Sequence, residues 1–127
     1  NAPESLKQRL KASGITYLEY ADDLNSELKD FGICIAPMIS GGGLLNKCLE
    51  AFHSGRIVIL SPRASTGFKN IQNGVHALVC DKSEAWLQAF DDIHTGRYTW
   101  HQKRIQHLVD GYSWDRFNHE ADAFLQD

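Results

Sequence analysis

The sequence predicts an α/β fold, a Rossmann-like three-layer sandwich with a mainly parallel sheet. Three observations predict it. Residues 57–60, Ile-Val-Ile-Leu, are apolar without a break, the mark of a strand buried on both faces. Candidate strands alternate with candidate helices, an order that lays strands side by side in parallel with helices over them. One strand, residues 33–36, runs through Ser40-Gly41-Gly42-Gly43 straight into an amphipathic helix. Such a junction sits at the carboxyl end of an open sheet, where ligands bind.

The elements follow in order. Residues 3–11 read as a short helix, with Pro3 and Glu4 in its first turn, Lys7 and Lys11 later, and Gly14 as its stop. Residues 15–20, Ile-Thr-Tyr-Leu-Glu-Tyr, are β-branched and aromatic and read as a strand. Asp22 or Asp23 is expected to cap a helix reaching about Lys29. Gly32 opens the strand at 33–36. The helix after the glycines starts near Gly43 and ends at His53-Ser54-Gly55, with glycine as its C-terminal cap. After strand 57–60, residues 61–74 are mostly polar and read as irregular, with turns at Thr66-Gly67-Phe68 and Gln72-Asn73-Gly74. Residues 77–80 form the last clear strand, and Asp81 or Ser83 caps a helix over 84–93. Helical stretches at 98–109 and 113–125, broken by Gly111, make a helical C-terminal tail. The chain opens on a helix where such folds usually open on a strand, so a first strand is expected to lie outside it.

Bulk properties exclude several classes. The chain has 127 residues, enough for one domain with a real core, and its 43% hydrophobic and 23% charged content is ordinary for a globular protein. A net charge of −3 gives no electrostatic case for a nucleic-acid partner. No apolar run approaches membrane-span length, and no signal peptide is visible. Cys34, Cys48 and Cys80 each sit in an apolar run. Their odd number and spacing argue against a disulfide scaffold, and they read as buried, reduced thiols of a cytoplasmic protein. The histidines at 53, 76, 94, 101, 107 and 119 are scattered, with no pair at metal-ligand spacing beside a third ligand. No metal or cofactor is expected.

The glycine turn carries the chemistry. Glycine reaches positive φ and lets a ligand approach the backbone. The helix that follows points its free N–H groups, at Gly42, Gly43, Leu44 and Leu45, back toward Gly41, which makes an anion site suited to phosphate. Leu45, Cys48, Leu49 and Phe52 form one apolar stripe, at i, i+3, i+4 and i+7. Gly43, Lys47 and Glu50 fall on the opposite side, spanning roughly 10 Å. That suits a diphosphate at the helix tip and a ribose diol at Glu50. The same pattern also describes a surface helix with a Lys47–Glu50 pair and a flexible entry loop.

Taken together, the segments resemble a known family. Residues 15–24, the strand at 33–37 ending in proline, and Gly41-Gly42-Gly43-Leu44-Leu45-Asn46-Lys47-Cys48-Leu49-Glu50-Ala51-Phe52 followed by Gly55 and Ile57-Val58-Ile59 come first. Thr66-Gly67-Phe68, Asn73-Gly74-Val75-His76-Ala77-Leu78-Val79 and Tyr112-Ser113-Trp114 follow. In order and spacing they resemble the C-terminal, nucleotide-sugar-binding half of retaining glycosyltransferases of GT-B fold, the family-4 type, over about residues 3–125. The resemblance implies a nucleoside-diphosphate sugar donor and transfer with retention at the anomeric carbon. It implies donor-phosphate contacts at Gly41, Gly42, Gly43, Leu44, Leu45 and Lys47, and ribose contacts at Glu50. Tyr20 is the candidate for the base pocket, with plain packing as its other reading.

The chain departs from the family at one position. The family has two glutamates eight residues apart; Glu50 matches the second, and Gly42 stands where the first would touch the transferred sugar. This resembles a subgroup with a glycine-x-glycine loop and a lysine on the helix. In the family the N-terminal acceptor domain and a basic pair for the diphosphate lie upstream. The chain is therefore expected to be a binding half, inactive alone, of an enzyme of polysaccharide biosynthesis. That enzyme would act on a glycan or lipid-linked acceptor at the inner membrane face. The alternatives are a nucleotide-sugar epimerase or phosphorylase-like enzyme of the same architecture, or a non-catalytic nucleotide- or partner-binding domain. Arg63, after strand 57–60, and His76 lie near the ligand edge but read as solvated loop residues. Asp91 and Asp92 read as a wet helix face, and Trp86, Trp100 and Trp114 as packing.

Overall fold

The computed structural model describes residues 2–23, 26–27, 29–41, 46–99 and 102–112. Its frame is a three-stranded parallel sheet of β1 (Ile33–Ala36), β2 (Ile57–Leu60) and β3 (Leu78–Val79), in the order β1-β2-β3. Ile33 pairs with Ile57 and Ala36 with Leu60, while Ile59 pairs with Leu78. The described helices are α1 (Glu4–Ala12), α2 (Asn46–His53), α3 (Pro62–Ser65), α4 (Ser83–His94) and α5 (Gln102–Asp110).

The expected burial of residues 57–60 on both faces determines the layers. Val58, Ile59 and Leu60 expose nothing to solvent. Val58 and Leu60 pack with Cys48, Ala51 and Phe52 of α2, Ala64 of α3, and Ile105, Leu108 and Val109 of α5. Ile59 points the other way, into Cys80 and Ala89, with Ala85, Trp86 and Ile93 of α4 beside them. Helices therefore cover both faces, as an α/β Rossmann-like sandwich requires. An aromatic stack closes the first face. Phe52 and Phe68 meet edge to face at 5.6 Å between ring centroids, and Phe68 and Tyr112 at 5.8 Å. The Tyr112 hydroxyl accepts the Lys69 N–H, which ties the loop after α3 to the end of α5.

Gly55 ends α2 as expected. Its φ is +75°, its N–H donates to the Phe52 carbonyl at 3.1 Å, and the Arg56 N–H donates to Ala51 at 2.9 Å. This is the Schellman closure, in which one residue turns left-handed and two helix carbonyls are satisfied. Arg56 then donates through its guanidinium to the carbonyls of Ser54 and Lys29, both at 3.1 Å, which joins the α2–β2 turn to the chain before β1. Asp23 accepts from the Glu27 N–H at 3.2 Å and from the Ser26 hydroxyl at 2.7 Å, and residues 26 and 27 are helical.

Several expectations are corrected. Residues 15–20 form no strand. They fold back on α1 instead: Ile15 N–H bonds Leu10, Tyr17 lies 5.4 Å from the Lys7 ammonium, and Glu19 pairs with Lys7 at 3.9 Å. Ile15 and Leu18 stay more than half exposed, so β propensity had no ladder or core to act through. The expected cap of the 84–93 helix is also absent. Lys82 occupies the cap position without a side-chain bond, because Ser83 is already helical. The polar stretch after β2 contains a helix, α3, capped by Ser61 and opened by Pro62. The 77–80 strand narrows to Leu78–Val79, in register with Ile59 and Leu60, while Ala77 bridges to Asn73 instead. Among the described residues α5 starts at Gln102 rather than 98, since the Tyr98 N–H turns back to Asp92 at 3.0 Å. The 113–125 helix, the start of α2 near Gly43, Trp100, Trp114, His101 and His119 lie outside the described residues.

Phe52 is the side chain that joins α2, the loop after α3, and the sheet. Phe52→Ala is expected to lower unfolding free energy by about 3–5 kcal/mol, measured by urea titration, and Phe52→Leu by clearly less.

Candidate ligand site at the carboxyl edge of the sheet

Because the strands are parallel, their carboxyl ends share one edge. There β1 passes into Pro37-Met38-Ile39-Ser40-Gly41, β2 into Ser61 and α3, and β3 into Cys80. Main-chain bonds continue the ladder past the strands: Ser61 N–H to Ala36 at 3.1 Å, and Cys80 N–H to Leu60 at 2.8 Å.

Ser61, 8% exposed, holds this edge. Its hydroxyl donates to the Met38 carbonyl at 2.7 Å and accepts the Ala64 N–H at 3.2 Å. One side chain thus caps α3 and anchors the segment leading to the glycines. Arg63, two residues on, donates from Nε to the Gly41 carbonyl. Arg63 is an exposed residue, yet it is fixed at the glycine turn rather than simply solvated. The signal was in the sequence: Ser-Pro after a strand is an N-cap with proline in the first turn, and it places residue 63 back over the strand ends.

Gly41 has φ +87°, the left-handed region that favours glycine. Gly42, Gly43, Leu44 and Leu45 lie outside the described residues. Beyond them α2 presents two faces. Cys48, Ala51 and Phe52 are buried, while Lys47 is exposed and Glu50 half-buried. Lys47 and Glu50 form no ion pair with one another. The side-chain pairing of the plain surface-helix reading is therefore not made. Tyr20 is 79% exposed, in the segment that follows α1 and whose contacts run to α1. A cleft of about 280 Å³ lies elsewhere, between the end of α2 and α5, lined by His53, Gly55, Ile105 and Gln106. It is remote from the strand ends and collects no set of charged groups.

The profile described as Glycosyl transferases group 1 matches residues 1–96. The chain belongs to that family. No curated protein and no solved structure matches it. For a group 1 glycosyltransferase domain, the matched span takes in β1, the glycine turn, α2, β2, α3, β3 and α4.

Two other features bear on this edge. Cys34 packs against the cluster that contains Cys48. Interaction with the Cys48 thiol holds the Cys34 thiol down at about 7, against the opposing effect of burial and with help from the Lys47 ammonium. The same interaction, with burial, pushes Cys48 well up. His76 is half-buried in the turn before β3, and its Nδ1 accepts the Gln72 N–H at 2.9 Å. Burial, then the nearby Arg104 charge, holds its pKa below the ordinary histidine value. His76 is therefore a bonded part of the loop rather than a solvated surface group. Asp91 and Asp92 both pair with Arg97 on the outer side of α4.

Two outcomes follow from this geometry. Ser61→Ala removes a helix cap and a buried donor at once, and is expected to cost about 1–3 kcal/mol by urea unfolding, with Ser61→Thr recovering much of it. For His76, protonation of Nδ1 breaks the bond to Gln72, so the native state resists the proton that the unfolded chain accepts. Its contribution to stability is full above about pH 6.5 and falls as the pH drops toward the lower folded value. In His76→Gln, the decline of the melting temperature between about pH 7 and pH 5 should be shallower than in the parent chain.

Proposed function

We propose that this chain binds a nucleoside-diphosphate sugar, as the C-terminal donor half of a retaining, family-4-type glycosyltransferase. The observation that carries the reading is what flanks the glycines. Gly41 stands at the carboxyl edge with Arg63 on its carbonyl, and α2 has its inner face locked in the core and offers Lys47 and Glu50, unpaired with each other, on its outer side.

The chemistry follows from the charge that develops. When the bond from the anomeric carbon to the donor oxygen breaks, negative charge collects on the β-phosphate. Backbone N–H groups in the glycine turn and the positive end of the α2 dipole stabilise it. Lys47 adds a point charge, and Arg63, held at Gly41, adds a second cation at the same turn. Glu50, about one turn further along α2, is the acceptor for the ribose hydroxyls. A carboxylate with two acceptor oxygens suits a vicinal diol. Gly42 leaves no carboxylate at the position that would touch the transferred sugar, so the sugar is held by other groups. The acceptor, a glycan or lipid-linked chain, belongs to an N-terminal domain of the full enzyme, and this half alone does not turn over. The full enzyme then works in the cytoplasm at the membrane face. No helix among the described residues is long and apolar enough to cross a membrane.

Calorimetric titration of the 127-residue chain with UDP, GDP and ADP tests the reading. One nucleotide is expected to bind saturably, and Glu50→Ala to weaken it about tenfold or more, as loss of a charge-assisted hydrogen bond would. If the folded chain takes up none of the three, or if Glu50→Ala binds as well as the parent, the donor-site assignment fails.

A further inference from the structure

The sequence contains one Asn-Gly pair, Asn73-Gly74, in the turn that leads into β3. Both residues are exposed to water. The pair carries a chemistry of its own. Glycine has no side chain to shield its backbone nitrogen, so that nitrogen can attack the amide of the preceding asparagine. The fold occupies both reacting groups. The Gly74 N–H donates to the Ala77 carbonyl at 2.8 Å, and the Asn73 Oδ1 accepts the Val79 N–H at 2.9 Å. Asn73 also pairs with Ala77 in a single parallel bridge. His76 closes the loop around them. Its Nδ1 accepts the Gln72 N–H at 2.9 Å, and its own N–H donates to the Gln72 carbonyl at 3.0 Å. Asn73 and Gly74 therefore lie between two residues that are bonded to each other in both directions.

We propose that Asn73-Gly74 is a self-modification site, latched by the Gln72–His76 bonds, at which opening of the loop converts Asn73 to aspartate and isoaspartate. Water and hydroxide are the only reagents. In the open loop, hydroxide takes the Gly74 amide proton and the nitrogen attacks the Asn73 Cγ. A Cγ–N bond forms and the Cγ–Nδ2 bond breaks. Water returns a proton to the departing nitrogen, so ammonia leaves and hydroxide is regenerated. The product is a cyclic succinimide. Water then adds to either of its two carbonyl carbons and opens the ring. Opening at Cγ restores the ordinary peptide with aspartate at position 73. Opening at the main-chain carbonyl leaves the chain running through Cβ and Cγ, as isoaspartate. The two products act differently on the fold. Aspartate keeps an oxygen for the Val79 N–H. Isoaspartate lengthens the main chain by a methylene, which shifts Asn73 off Ala77 and disturbs the entry to β3. The site is thus a one-way record of loop opening, and it does not depend on the nucleotide reading.

The test incubates the 127-residue chain at one mildly alkaline pH, folded and in urea, and follows every asparagine by peptide mass. Electron-transfer fragmentation separates aspartate from isoaspartate. In urea Asn73 should convert ahead of every other asparagine, and in the folded chain it should convert far more slowly. His76→Ala removes the latch and leaves Asn73 and Gly74 untouched. Folded, it should convert roughly two- to tenfold faster than the folded parent, the factor that one ordinary hydrogen bond contributes to a local opening equilibrium. In urea the two chains should convert alike, which separates a latch from a change in intrinsic reactivity. Circular dichroism confirms that the variant is folded. Equal rates for the parent in the fold and in urea, a folded His76→Ala chain no faster than the parent, or earlier conversion at another asparagine such as Asn70 would each overturn the proposal.

Discussion

The complete burial of β2 is the constraint on which the structure rests. Val58, Ile59 and Leu60 have no exposed surface, so each face of the strand must find its own cover. On one side the cover is α2, α3 and α5; on the other it is α4. A parallel strand cannot be reached by a hairpin, so the chain crosses over through α2 between β1 and β2. That crossover is what brings the glycine turn to the carboxyl edge. The site's position is thus a by-product of satisfying three apolar side chains in the middle of the sheet.

The same logic explains why α2 can serve two purposes. Its inner face, Cys48, Ala51 and Phe52, is held by the core and by the ring of Phe68. The outer residues inherit that rigidity without contributing to it. A ligand-binding carboxylate on such a helix loses little conformational freedom on binding, because the backbone beneath it is already fixed. Ser61 and Arg63 extend the arrangement. They tie the entry of the turn to the end of β2, so two strands and a short helix share responsibility for one loop.

Legibility in the sequence followed the range of the interaction concerned. The apolar run at 57–60, the strand at 33–36 and the helix stop at Gly55 were readable because neighbours in sequence determine them. Residues 15–20 misled because β-branched residues state a preference, not a partner; here the segment lies on α1. The cap of α4 misled because three polar residues in a row, Asp81, Lys82 and Ser83, leave the boundary open by one or two positions. Arg63 at Gly41 and Cys34 beside Cys48 are contacts across 22 and 14 positions. No periodicity encodes these pairings: the Ser61-Pro62 cap sets where residue 63 stands, but the crossover geometry supplies the partner.

The edge position of β1 has a practical meaning for anyone handling this chain. Among the described strands β1 is paired on one side only, and its outward row of amide and carbonyl groups is a template for another strand. Around it Phe31 is 58% exposed, Ile35 51% and Ile39 96%, with no lysine or proline inside the strand to discourage pairing. Strand-to-strand pairing at β1 is a contact this geometry offers to a second copy, and Ile35→Lys is the substitution that opposes it.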